Sequence, residues 1–214
     1  MSTAGDPVAA IPDMVRRACP VTAAQAETLM RYGSLLQKWQ KAKNLVANGS
    51  LDNMAERHFL DSAQLVPLLP ADRGAPLRVL DIGSGAGFPG LVMAMLAPIQ
   101  LHSVEANAKK GAFMRQVCRE TGVDARIHMA RFEELTPFPV DVVISRACSD
   151  LAQLLEWAEP FCDEGTRCLF LKGARAEEEL THARRYWKVS VQRHASLSDP
   201  SGVILDLTGV AAHS

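Results

Sequence analysis

The sequence predicts an α/β fold: a mostly parallel sheet of seven strands with helices on both faces, an antiparallel C-terminal hairpin and a small helical N-terminal extension. Three observations carry that expectation. From Leu77 onward short apolar runs alternate with helix-like segments, the pattern of a parallel sheet. The run Leu77 to Ile82 is almost wholly apolar, as a strand buried on both faces must be, and it leads into the glycines of LRVLDIGSGAGFPG at 77–90. The last two strand-like runs are joined by Pro200-Ser201-Gly202, a turn that suits an antiparallel edge hairpin.

In chain order, residues 1–12 carry Pro7 and Pro12 among small apolar residues and read as a loose lead-in to a short helix. Thr22 to Gln25, TAAQ, is a capping box, in which a hydroxyl and an amide at this spacing satisfy each other's orphan backbone N–H groups. It opens a long helix with Leu29, Leu35, Leu36 and Trp39 as its apolar stripe. That helix ends on Lys38, Lys41 and Lys43, either a solvated end favoured by the helix dipole or a phosphate contact. Ser50 and Asp52 are candidate caps for a further helix at about 53–69, which Pro70 stops. On it Arg57 and Asp61, four apart, share a face and can pair, and His58 and Ser62 do likewise. The segment Ala71 to Pro76 marks the boundary between the helical part, 1–74, and the main domain, 75–214. Strands are expected at 77–82, 100–105, 125–129, 140–145, 166–171, 187–193 and 203–208, and helices at 88–96, 107–120, 150–161 and 175–186. There is no internal repeat and no low-complexity tract.

At 214 residues the chain suffices for one large domain with a small appendage. A hydrophobic share of 48% with 22% charged residues is that of a soluble globular protein. No apolar run reaches the roughly 18 residues of a membrane span, and Asp6, Asp13, Arg16 and Arg17 interrupt the start, so no membrane partner and a cytoplasmic location are expected. The five cysteines show no metal-ligand spacing; reduced, mostly buried thiols and no metal are expected. A formal net charge of −1 excludes a protein that coats nucleic acid indiscriminately, so any such binding needs a local patch.

In open α/β sheets ligands bind beyond the carboxyl ends of the strands, and each of those ends here holds something polar. After the first strand come Gly83, Gly85 and Gly87, which admit backbone conformations closed to other residues and let a ligand lie against the main chain. Gly85 to Gly90 also spells GxGxxG with Glu105 about 20 residues on, the dinucleotide fingerprint. Two details weigh toward a different cofactor: the series begins at Gly83, as GxGxG directly on the strand end, and the acidic Asp81 lies inside the strand terminus. Both resemble the first motif of class I S-adenosylmethionine (SAM) methyltransferases, Rossmann-like folds in which these residues bind cofactor. Glu105, after strand two, has a carboxylate able to accept both ribose hydroxyls, or is simply an acid at a helix start. After strand three, Phe132 could lie against adenine and Glu133 accept its amino group; the alternative is a short surface helix. Arg146 and Lys172 follow strands four and five, two cations suggesting an anionic or carbonyl-rich ligand.

Over 39–173 the chain resembles the ribosomal RNA small subunit methyltransferase G family. The matching segments are KWQKAKNL at 38–45, RHFLDS at 57–62, DIGSGAGFPG at 81–90, RFEEL at 131–135, SRA at 145–147 and LKG at 171–173. The resemblance implies methylation of N7 of a guanine in 16S rRNA, with 16S rRNA or the small ribosomal subunit as partner and a monomeric enzyme. It also implies SAM contacts from Gly83, Phe88, Glu105, Phe132, Glu133 and Arg146. Arg57, His58 and Lys172 become candidates for RNA contact or for holding the helical part on the sheet. Two departures stand out: 201–210 carries no basic residue where family members often do, and Val46-Ala47 replaces a usual threonine after Asn44-Leu45.

The chemistry agrees with that family. Guanine N7 is unprotonated with an in-plane lone pair, so no general base is required. The Asn/Asp-Pro-Pro-aromatic motif of amino methyltransferases is absent after strand four, as is a Pro-Cys pair for attack on a pyrimidine; Cys148 reads as packing. Arg146 is the expected catalytic residue. Arginine cannot act as a base, and a bidentate guanidinium on O6 and N7 would occupy the attacking lone pair. Its expected ligand is therefore the SAM carboxylate, a phosphate or O6 alone. Arg31, Lys38, Lys41, Lys43, Arg57 and Lys172 are the expected RNA patch. A SAM methyltransferase acting on a small molecule or protein, a non-enzymatic binding module and a dinucleotide oxidoreductase are the competing readings.

Overall fold

The computed structural model describes residues 6–47, 49–71, 74–146 and 148–213. Ala147 of the SRA segment, Asp72 and Arg73 of the expected boundary, and the side chain of Lys43 lie outside the described residues.

Seven strands form one sheet: β1 (Leu77–Ile82), β2 (Ile99–Val104), β3 (Ala125–His128), β4 (Val142–Arg146), β5 (Arg167–Lys172), β6 (Trp187–Ala195) and β7 (Val203–Ala212). Their order is β3-β2-β1-β4-β5-β7-β6, parallel except that β7 runs antiparallel to both β5 and β6. Progress across the sheet reverses between β1 and β4, which opens a crevice at their carboxyl ends. Ile82 is level with Val104 on one side and Ser145 on the other, so the ends of β1, β2 and β4 form a common ledge. The near-continuous burial of β1, β4 and β5 follows from helices covering both faces.

The helices are α1 (Ile11–Val15), α2 (Ala23–Lys43), α3 (Asp61–Ala63), α4 (Gly90–Leu96), α5 (Ala108–Thr121), α6 (Leu151–Ala158) and α7 (Ala176–Ala183). The capping box forms as expected: Thr22 Oγ1 accepts from the Gln25 N–H at 3.2 Å, and Gln25 Oε1 accepts from the Thr22 N–H at 2.9 Å. Asn107 caps α5 through two backbone N–H groups, and Asp150 caps α6. α4 starts at Gly90, two residues later than expected, after a cis Phe88-Pro89 bond.

The N-terminal helices have no separate core. Ile11, Leu29, Tyr32, Leu36 and Phe59 belong to one cluster with Leu91, Val92 and Phe113, on one face of the sheet. Each such buried side chain contributes roughly 1.5–3 kcal/mol. The other face packs Leu80, Val143 and Phe170 against Leu151, Leu154 and Leu180 of α6 and α7. Polar ties join the helical part to the domain: the Tyr32 hydroxyl donates to Ala86 O at 2.6 Å, Gln25 Nε2 to Leu96 O at 3.1 Å and Arg31 Nη1 to Glu120 O at 2.9 Å.

The helix expected at 53–69 is corrected. A π-helical turn at Ala55–Leu60 runs into α3, and a 3₁₀ turn follows at Val66–Leu68. His58, Phe59 and Leu60 are all buried in this turn, with Phe59 in the core shared with α2 and α4. Neither Ser50 nor Asp52 caps it. The side-chain pairs expected at spacing four are replaced as well: Asp61 meets Arg146, and the Ser62 hydroxyl donates to His58 O at 2.6 Å.

Candidate cofactor and substrate site

A cleft of about 770 Å³ opens at the carboxyl ends of β1, β4 and β5. Its walls are the glycine loop, residues from 45–47 and 50–61, and the turn at 196–202 between β6 and β7. The structure brings Gly83, Gly85, Phe88, Arg57, His58, Arg146 and Lys172 to this one cleft. Asp81 lies beneath the loop and Glu105 at its side.

Glycine at 83 is demanded twice: its φ is +69°, and a Cβ there would lie 2.1 Å from Cys148 Sγ. Below it Asp81 is fully buried. One carboxylate oxygen accepts from the Gly90 N–H at 3.2 Å, and Oδ1 has no partner among the described residues. Burial pushes this carboxyl up to about 7. Glu105 bridges two backbone groups, accepting from the Gly85 N–H at 2.9 Å and the Asn107 N–H at 2.7 Å. A carboxylate has about four acceptor positions, so each oxygen keeps one for a further donor.

Arg146, at the end of β4, clamps the π-helical turn. Its Nη1 donates to Arg57 O at 2.9 Å and His58 Nδ1 at 3.1 Å, and lies 3.5 Å from Asp61 Oδ2. Guanidinium is a donor only, so His58 Nδ1 is the acceptor and its Nε2–H donates to Ser50 Oγ at 3.0 Å. Burial, then the Arg146 charge, lowers His58 to about 3, so it is neutral at ordinary pH. Nε and Nη2 of Arg146 have no partner among the described residues and remain available to a ligand.

Phe88 is buried, with the rings of Tyr32 and His58 stacked on it at 5.0 Å each. Phe132 packs in the core against Trp157 and Phe161, while Glu133 beside it is exposed, and neither lines the cleft. Lys172 departs from the expected mouth cation. Its Nζ donates to Ser149 O at 2.7 Å and pairs with Glu179 Oε2 at 2.8 Å, and its side chain is 5% exposed. Glu179 also accepts from the Leu151 N–H, so Lys172 secures the starts of α6 and α7 at the end of β5. Cys148, expected as packing, is exposed at residue level although its thiol lies against Gly83.

Sequence reasoning missed Ser50, Tyr32, Gln64 and the turn at 196–202. Asp61 Oδ1 accepts from Ser198 Oγ at 2.5 Å and Gln64 Nε2 at 3.0 Å, and Gln64 Oε1 accepts from the Leu197 N–H at 2.7 Å. These bonds tie the turn to the helical part across more than 130 residues, a distance over which no local pattern signals a partner.

The residues fit a SAM-sized cofactor: a glycine loop with no room for a Cβ at 83 or 87, a buried carboxylate oxygen lacking a donor, and a half-buried carboxylate with acceptor capacity in reserve. The fold agrees. Magnesium protoporphyrin IX methyltransferase from Synechocystis PCC 6803, solved with bound SAM, superposes with a TM-score of 0.61 at 13% identity, over 83% of this chain and 96% of that one. The fold is that of the class I SAM-dependent methyltransferases. Within that class the sequence is more specific. The ribosomal RNA small subunit methyltransferase G of Rhodospirillum rubrum is 49% identical over 187 residues, covering 87% of this chain and 91% of that protein. Its counterpart from Rhodospirillum centenum is 47% identical over 186 residues, 86% and 84% of the two chains. The family described as rRNA small subunit methyltransferase G matches residues 25–203. The chain belongs to that family.

Proposed function

We propose that this protein transfers the methyl group of SAM to N7 of a specific guanine in 16S rRNA. The observation that carries the reaction type is a cofactor loop opening on a cleft whose described side chains include none poised as a general base. His58 has both ring nitrogens engaged and is lowered to about 3; Asp61 accepts from Ser198 and Gln64 and pairs with Arg146; Asp199, at the rim, accepts from the Ser201 N–H and hydroxyl, which hold its carboxyl below the usual range. N7 presents a free lone pair and needs no proton removed, whereas an exocyclic amine or hydroxyl would. Family membership supplies the rRNA.

SAM, when bound, supplies an electrophilic methyl group. The chain's own task is alignment, a contribution of roughly 7–11 kcal/mol in favourable cases. Asp81, Gly83, Gly85 and Glu105 hold the cofactor around the loop, and Phe132 and Glu133 serve its adenine end from beyond β3. The free donors of Arg146 take the cofactor carboxylate, a phosphate or guanine O6. Phe88 and His58 act as the packed support of that guanidinium, and Lys172 keeps the end of β5 in place. Arg57, exposed at the cleft wall, faces the RNA. The enzyme acts as a cytoplasmic monomer and needs no metal; among the described residues no helix is long and apolar enough to cross a membrane.

The test is methyl transfer from labelled SAM to 16S rRNA and to intact small subunits from cells lacking this activity, with the product nucleoside identified. 7-Methylguanosine at one position is expected. SAM binding without label in either substrate would overturn the rRNA reading and leave the fold intact.

A further inference from the structure

The mouth cations read from the sequence are largely engaged within the protein: Lys172 is paired with Glu179, and Arg146 has one nitrogen committed to the π-helical turn. Uncompensated positive charge lies elsewhere. Residues 28–51 contain four basic residues and no acidic one, and residues 106–119 again contain four basic and no acidic, in a chain of net charge −1. These two spans cover most of α2 and α5, which pack side by side. Arg31 reaches the carbonyl of Glu120 and Trp39 meets the ring of Phe113 at 5.5 Å, so the helices run antiparallel. The last turns of α2, with Lys38 and Lys41, therefore lie beside the first turn of α5, with Lys109 and Lys110. None of these four lysines makes an ion pair among the described residues. Lys38, Lys41 and Lys109 are exposed, and Lys110 lines the cleft with Leu45, Val46 and Ala47, which follow α2. Residues 180–198 also hold four basic residues and no acidic one, but acids meet three of them in space: Arg193 is paired with Glu177, Arg184 acts on the same carboxylate, Arg185 lines a hollow with Glu177, Glu178 and Glu179, and none of the four lines the cleft.

We propose that the cleft-side end of the α2–α5 pair is the docking surface for the phosphate backbone of the substrate RNA. This rests on the rRNA reading above and gives it a place: the strand crosses Lys38, Lys41 and Lys109 and enters the cleft past Lys110. Charge complementarity commits the surface to RNA. Four ammonium groups without an ion-pair partner among the described residues suit a polyanion of regular charge spacing, and they impose no sequence preference. Base selection is left to the cleft.

The experiment compares wild type with Lys38→Gln/Lys41→Gln/Lys109→Gln and with a control, Arg184→Gln/Arg185→Gln, on the far α7 side. Binding to 16S rRNA and to small subunits is followed from about 50 to 200 mM salt, with SAM affinity as the check on folding. Each phosphate contact contributes about 0.7–0.9 to the slope of log affinity against log salt. Loss of three should shrink the salt-induced drop in affinity about thirtyfold in that range, while the control keeps the wild-type slope. An unchanged slope in the triple variant overturns the proposal. So does loss of subunit binding with naked rRNA binding intact, which would assign the surface to a ribosomal protein. Failure of the wild type to form 7-methylguanosine would instead sink the rRNA reading, and the two failures are read in separate assays.

Discussion

Replacing His58 by alanine tests whether the neutral imidazole organises the cleft. The side chain accepts a charge-assisted hydrogen bond from Arg146, donates to Ser50 and stacks on Phe88. Loss of a hydrogen bond to a charged group costs about 1.5–3 kcal/mol, and loss of an aromatic contact about 0.5–1.5 kcal/mol more, so urea unfolding at neutral pH should show a destabilisation of about 2–4 kcal/mol. The pH dependence is the more specific readout. Folded His58 takes up a proton only at about 3, whereas an unfolded histidine does so near 6.5. Between those values the unfolded chain binds more protons, so the wild type loses stability as pH falls below 6.5 and keeps it in full above. At pH 5 the loss from this residue is about 2 kcal/mol, from 1.4 kcal/mol per pH unit. His102 and His128, also lowered by burial, contribute equally to both proteins and cancel in the difference. The stability lost between pH 7.5 and 5.0 should therefore be about 2 kcal/mol greater in wild type than in the alanine variant. Equal losses would refute the buried, neutral His58 on which the support of Arg146 depends.

Gly83→Ala should lower SAM affinity at least tenfold by calorimetry, because it combines a left-handed backbone with overlap on Cys148; adding Cys148→Ala should not restore it, since the Cys148 Cβ is itself 2.9 Å from the new methyl position. Lys172→Met should destabilise the fold by about 3–5 kcal/mol through the stranded Glu179 carboxylate, and a compensating Glu179→Gln should recover part of that loss in denaturant titrations. Because Asp81 titrates at about 7 before ligand binds, a cofactor that requires its carboxylate should bind about fivefold more tightly at pH 7 than at pH 6. Asp81→Asn, which retains an acceptor for the Gly90 N–H, should flatten that dependence, and an equal slope in both proteins would remove Asp81 from the cofactor site.

What the sequence disclosed followed the range of the forces involved. The capping box, the helix starts near Asn107 and Asp150 and the buried β1 run are local signals, set by backbone satisfaction and side-chain period within a few residues, and they appear close to where they were expected. The helix expected at 53–69 failed for the complementary reason. Phe59 there packs into a core assembled from β1, α2 and α4, and His58 is held by Arg146 from β4, so tertiary partners rather than local α-helical preference set the turn. Lys172 shows the same limit in electrostatics: its position after β5 was legible, but Glu179, its partner, is placed by how α7 returns against α6. Phe132 reads as an adenine platform because it follows a strand end, and the family resemblance makes Phe88 a cofactor contact, yet each has aromatic neighbours drawn from distant parts of the chain.

The division between the two halves of the cleft has a chemical reason. The proposed cofactor half rests mainly on the stretch 81–105, with Phe132 and Glu133 added from beyond β3, and a motif can therefore encode most of it. The substrate half must hold a nucleophile that needs no base, so its work is positional, and a titrating group beside the reacting atoms would weaken rather than assist it. Neutral His58, Asp61 and the backbone carbonyl of Arg57 give Arg146 a fixed orientation at every pH at which His58 stays neutral, well above about 3. Such fixity requires partners from separate elements, here the π-helical turn, β4 and the β6–β7 turn, which the polypeptide joins only on folding. The N-terminal helices are accordingly one wall of the site, and the Tyr32 bond to Ala86 fixes that wall to the cofactor loop itself.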